Sequence, residues 1–97
     1  MSDVLNPVVN RFECGATLTH ESAKAALSAG LQRIAVGANG VDCAPLAQFD
    51  SSALAVLLAW QRAVQARGAR FEIVNLPAGL ASLAHAYGVD TLISTRH

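Results

Sequence analysis

Asp50, Ser51 and Ser52 stand in a row directly ahead of the longest apolar run of the chain, Ala53 to Trp60. Their side chains admit three kinds of chemistry. As a nucleophile, either serine needs a neighbouring base held by an oriented partner. The chain offers no G-x-S-x-G context and no histidine assignable to that role, so hydrolysis is not expected. As a phosphate acceptor, Ser51 would bring about −1.5 to −2 charges to a helix start whose free N–H groups and dipole amount to about half a positive charge. Asp50 next to it opposes that charge. As caps, the three residues satisfy orphan N–H groups and contribute about 1 kcal/mol. Spacing alone favours capping over phosphate binding.

The remaining reactive residues carry weaker signals. His20, His85 and His97 have no metal-ligand spacing with one another or with the cysteines, so no metal site is expected and the histidines read as solvated. Two cysteines, Cys14 and Cys43, make no disulfide framework; both lie in apolar stretches and read as reduced, buried small hydrophobes. Gly37-Ala38-Asn39-Gly40 is glycine-rich but lacks the Lys-Ser/Thr of a phosphate loop, and reads as a helix stop. Trp60 reads as core, with an indole N–H that needs an acceptor.

The elements that must position these residues follow from periodicity. Val8 to Leu18 reads as one strand, bent at Gly15. After Thr19, the three- and four-residue spacing of Ala23, Leu27, Leu31 and Ile34 predicts a helix. Glu21 falls in its first turn, favourable to the dipole. Val41 to Leu46 begins as a strand that must end before Pro45. The helix opened by Asp50-Ser51-Ser52 runs to about Arg67, with Gly68 as its stop. Arg70 to Val74 alternates as a two-faced strand. Pro77 suits the start of a third helix carrying Leu80, Leu83, Ala84 and Tyr87, stopped at Gly88, and Val89 to Ile93 adds a short strand or turn. Strands alternating with helices give an α/β fold: a mixed sheet of about four strands covered by helices.

Composition bounds the function. The 97 residues fit one domain, 1–97, and with 53% hydrophobic and 14% charged residues the chain is expected to be ordered. A formal net charge of +0 lacks the cationic footprint of a nucleic-acid binder. The low charge also implies that part of the surface is covered by a partner. The N-terminus has no signal-peptide pattern, and the longest apolar run falls far short of the ~20 residues that span a bilayer, so a cytoplasmic protein without membrane insertion is expected. On the middle helix, Ala53, Val56, Leu57, Trp60 and Val64 form a core stripe. A second stripe of Ser51, Ala55, Leu58, Ala59 and Arg62 is small and apolar until Arg62. Small side chains there let another backbone approach closely.

The stretch FDSSALAVLL resembles the signature of the STAS family, the domain of anti-sigma-factor antagonists and of sulfate-transporter tails. Ala53 stands where that family usually has glycine, which would make the turn into the helix less permissive. The resemblance extends from about Phe12 to Ile93. Within it, FEIVNLPAGLASLAHAYGVDTLI is similar to MlaB-like subunits, through Asn75, Pro77, Leu80, Leu83, Ala84, Tyr87 and Gly88. The resemblance implies a STAS-like single domain that is not an enzyme and uses no cofactor. Its partner would be the cytoplasmic ATPase of an Mla-type phospholipid ABC transporter, which maintains outer-membrane lipid asymmetry, and the subunit would sit at the inner membrane through that complex. The alternative is an anti-sigma-factor antagonist switched by phosphorylation at Ser51. In either case Ser51 would lie at the partner contact; helix geometry adds Ser52, Ala55 and Arg62. Self-association is left open.

Overall fold

The computed structural model describes residues 10–93 and 95–96. Along the chain run β1 (Arg11–Glu13), β2 (Thr17–Leu18), α1 (Ala23–Ala35), β3 (Gly40–Asp42), β4 (Gln48–Phe49), α2 (Ser52–Gln65), β5 (Glu72–Val74), α3 (Ala78–Ala86) and β6 (Thr95–Arg96). The expected α/β fold and sheet of about four strands are present. β1, β3, β5 and β6 are neighbours in that order, and β2 pairs with β4 in a separate two-stranded ladder. Among the described residues every pairing is parallel, so the antiparallel component of a mixed sheet is not found there. Each parallel neighbour in the larger sheet is reached through a helical crossover, as parallel pairing requires.

The single strand expected over Val8 to Leu18 is, within the described part, two. Gly15 has φ +86°, a left-handed turn that takes β2 out of the plane of β1 and into register with β4. β4 was not foreseen; it follows Pro45, beyond the point where the strand reading stopped.

Register divides the larger sheet into two rows with different chemistry. Phe12, Val41 and Ile73 are register partners and all buried. This row faces α2, where Phe12 meets the Trp60 indole edge-on at 5.0 Å between centroids. The other row is Arg11, Gly40 and Glu72. Arg11 Nη2 reaches across the bare Gly40 to Glu72 Oε1 at 3.1 Å, and a Cβ on Gly40 would lie 3.0 Å from both Arg11 Cγ and the Glu72 carbonyl oxygen.

The helices stop where glycine predicts, with Gly37, Gly68 and Gly88 all at positive φ. The α1 terminus gains a second partner, because the Arg67 guanidinium donates to the Ile34 carbonyl. The core stripe of α2 is as expected: Ala53, Val56, Leu57, Trp60 and Val64 are buried. The expected helix α1 is also present. Its buried residues are Gly30 and Ile34, with Ala23, Ala26 and Leu27 packed at the margin, while Leu31 is 37% exposed. The cause is Trp60. Its indole fills the space over Gly30, its N–H donates to the Leu27 carbonyl at 3.2 Å, and α1 is thereby turned so that Leu31 points away. Glu21 lies ahead of α1, not in its first turn; the start is organised by Ser22, whose hydroxyl accepts from the Thr19 N–H at 3.0 Å. Val89 to Ile93 forms a turn, and the last strand is Thr95–Arg96.

Candidate partner interface

The start of α2 is held by Asp50, not by the serines. Asp50 Oδ1 accepts from the Ser52 N–H at 2.8 Å, while Oδ2 accepts from the His20 N–H at 3.0 Å and lies 3.1 Å from His20 Nδ1. These bonds, led by the His20 N–H, hold the Asp50 carboxyl down to about 2, so it is ionised across the physiological range. One carboxylate therefore caps α2 and ties it to the turn before α1. His20, read as merely solvated, belongs to this arrangement. The pairing spans 30 residues of sequence and no local pattern marks it.

Because Asp50 does the capping, Ser51 makes no side-chain cap bond and remains exposed, and Ser52 is half-buried. Ala53 lies inside α2 and is not among the residues with positive φ, so the position needs no glycine and Ala53 fits, fully buried, where the related pattern has one. Ala55 and Arg62 are exposed on the same helix. Seven residues apart, they are separated by about 10 Å along the axis.

Ser52 and Ala55 do not stand alone. With Val56 of α2 and Ala23, Lys24 and Leu27 of α1 they line an open groove of about 310 Å³ between the two helix starts. Next to it along α1, Leu27 and Leu31 border a shallower depression of about 400 Å³ that also includes Lys24, Ser28, Gln32 and Ala35. Ser51 and Arg62 line neither hollow; they lie outside it on α2. The contribution of α1 lies outside the expected site, since in the sequence Leu27 and Leu31 mark only a helical repeat. A second apolar residue per turn, beyond what one stripe needs, was the available signal.

Among the described residues no group of His, Cys, Asp or Glu is arranged to hold a metal ion. His85 Nδ1 pairs with Asp90 Oδ2 at 3.0 Å, which raises the histidine and lowers the carboxyl relative to their usual values. His97 lies outside the described residues. Trp60 is core, and its N–H is satisfied. No described helix is long and apolar enough to cross a membrane.

A family model described as "Mlab, STAS domain" matches residues 13–94. The chain belongs to the MlaB-type STAS domain family. STAS domains of this kind are regulatory and binding modules, generally non-catalytic, and the family points to protein interaction in association with a transporter. No curated protein and no solved structure matches the chain significantly. The matched span includes Asp50-Ser51-Ser52, of which Ser52 lines the groove between α1 and α2.

Proposed function

We propose that this STAS domain is a non-catalytic subunit that docks through the α1/α2 groove and the start of α2 onto the ATPase of an Mla-type phospholipid ABC transporter. It acts at the cytoplasmic face of the inner membrane through that complex and favours one state of the ATPase by binding it better than the others. The observation that carries this reading is the groove itself. Ser52, Ala55 and Leu27 leave an apolar hollow at the surface, beside Ser51 and next to an exposed Leu31. Apolar area of this kind, bordered by Lys24, suits a partner's side chains.

The test is co-purification of a tagged copy with its ATPase. Ala55→Glu introduces a carboxylate into the hollow and Ser51→Arg a bulky cation beside it; both positions are exposed, so the fold tolerates them. Binding is expected to fall at least about tenfold, equivalent to about 1.4 kcal/mol, with unchanged thermal unfolding. Full binding by both variants overturns the reading.

A second reading rests on the exposed, uncapped Ser51. Phosphorylated there, the domain would act as an anti-sigma-factor antagonist, releasing or recruiting its partner through the added charge. The ionised Asp50 weighs against it by repulsion. Mass spectrometry of the native protein, with and without its cognate kinase, distinguishes the two.

A further inference from the structure

Cys14 and Cys43 follow directly on a register pair. β1 and β3 are parallel with Glu13 opposite Asp42, and the Cys14 N–H continues the ladder by donating to the Asp42 carbonyl at 3.4 Å. The next residues on the two strands are therefore neighbours. Side chains alternate along a strand, so both cysteines fall on the face of Phe12 and Val41, toward the helices. Adjacent strands run about 4.8 Å apart, within the separation that a disulfide spans. The Cys14 thiol donates to the Gly15 carbonyl at 3.5 Å, and the neighbouring Cys43 thiol shifts its ionisation.

The pair is asymmetric. Cys43 is fully buried and its N–H is fixed on the Val74 carbonyl at 2.9 Å. Cys14 is half-buried and lines a hollow of about 250 Å³ with Phe12, Gly30, Arg33 and Trp60, through which a small reagent reaches its sulfur. The neighbouring Cys43 thiol holds the Cys14 thiol below its ordinary value, although burial, Asp42 and Glu13 push the other way. The same contact, with burial, pushes Cys43 up. One sulfur is thus open and the more readily ionised, while the other is enclosed and protonated, a division of labour that suits attack followed by resolution.

We propose that Cys14 and Cys43 form a reversible two-electron oxidation site, with a small hydroperoxide as the oxidant. Cys14 Sγ attacks one peroxide oxygen and the O–O bond breaks. The leaving oxygen takes a proton as water or alcohol, and Cys14 is left as the sulfenic acid. Cys43 Sγ then attacks the Cys14 sulfur, the S–O bond breaks, and hydroxide leaves with the Cys43 proton as a second water. Two thiols and one hydroperoxide become one disulfide, one water and one alcohol (a second water when the oxidant is hydrogen peroxide). A thiol reductant reverses it. The product joins the outermost described strand, β1, to β3.

The experiment treats the folded, reduced 97-residue chain with hydrogen peroxide and follows intact mass and thiol count. The expected product is monomeric, lighter by two hydrogens, has no alkylatable thiol after denaturation, and reverts fully with dithiothreitol. In Cys43→Ala, Cys14 should gain one oxygen and be trapped by dimedone, with no disulfide. In Cys14→Ser, Cys43 should keep its thiol throughout. The wild-type measurement stands even if a variant folds poorly. A wild-type product in which Cys14 carries oxygen while Cys43 remains alkylatable after denaturation overturns the proposal, as does a disulfide-linked dimer.

Discussion

Gly30→Ala is the substitution that most directly tests how α1 and α2 are fitted together. In an ordinary helix interior this change is stabilising by about 1 kcal/mol, because alanine loses less backbone entropy. Here a Cβ on Gly30 would lie 2.6 Å from Trp60 Cζ2 and closer still to Cε2 and Nε1, whereas ordinary contact begins at 3.4 Å. The indole would have to withdraw by about 1 Å, and it has no free direction. Trp60 is 1% exposed, Phe12 stands edge-on behind it, and its N–H is fixed on the Leu27 carbonyl of the same helix that would push it. Overpacking of this kind amounts to about 1–3 kcal/mol, and weakening the indole hydrogen bond adds about 1 kcal/mol. Set against the helix gain, the net loss is about 2 kcal/mol. For a domain of this size that corresponds to a fall in Tm of about 8–16 °C. Thermal unfolding followed by circular dichroism measures it, with urea titration as a second readout. The double variant with Trp60→Phe supplies the decisive comparison, since the smaller ring leaves room and Gly30→Ala should then become neutral or stabilising. A single Gly30→Ala variant that unfolds at the wild-type temperature or above refutes the packing account, as does a cycle with no coupling.

Other consequences can be measured independently. The Asp50 carboxyl, at about 2 in the folded protein, lies below its unfolded value, so its contribution is fully present above about pH 4 and is lost as pH falls toward 2. Asp50→Asn should lower Tm at neutral pH and remove that part of the acid dependence; an unchanged acid profile counts against the cap. His85 is raised by Asp90, so this pair contributes below the ordinary histidine value and ceases to as pH rises through the raised one. In an NMR titration Asp90→Asn should move the His85 midpoint downward, and no movement would dissociate the two. Asn75 holds φ +59° and donates from Nδ2 to Asp42 Oδ1 at 3.0 Å. Asn75→Ala should lose about 1 kcal/mol of stability in urea titration through its left-handed backbone, and Asn75→Gly should lose less.

What was legible in the sequence was whatever depends on neighbours along the chain. The glycine stops, the core stripe of α2 and the alternation of strands with helices are all local, and each was readable. β4 and the separation of β2 from β1 were not, because two-residue strands have no periodicity and exist only through pairing with each other. Which face of α1 turns inward is not legible in the sequence for a related reason. Leu27, Leu31 and Ile34 form a good stripe by themselves, and only the arrival of Trp60 over Gly30 decides which side is turned inward. Within the candidate site, Ser51, Ala55 and Arg62 are exposed on α2 and Ser52 is half-buried. The part supplied by α1, and the His20–Asp50 bond that fixes the two helix starts, required a tertiary contact that spacing does not encode.

The same contact that stabilises the helix pair also shapes its outer surface. With the indole seated over Gly30, α1 takes the rotation that half-buries Leu27 and leaves Leu31 outward, and the groove between the helix starts is lined as it is because of that rotation. Asp50 acts in parallel: by capping α2 and binding His20, it fixes the entry to both helices while leaving Ser51 without a capping role. Stability and the proposed docking surface are thus set by shared residues. Gly30→Ala should therefore weaken partner binding as well as lower Tm, even though Gly30 does not line the groove. Binding measured well below the variant's Tm separates the two effects. A loss of affinity with the protein fully folded follows from a rotated α1, whereas wild-type affinity in a destabilised variant would mean that the groove is shaped independently of the helix contact.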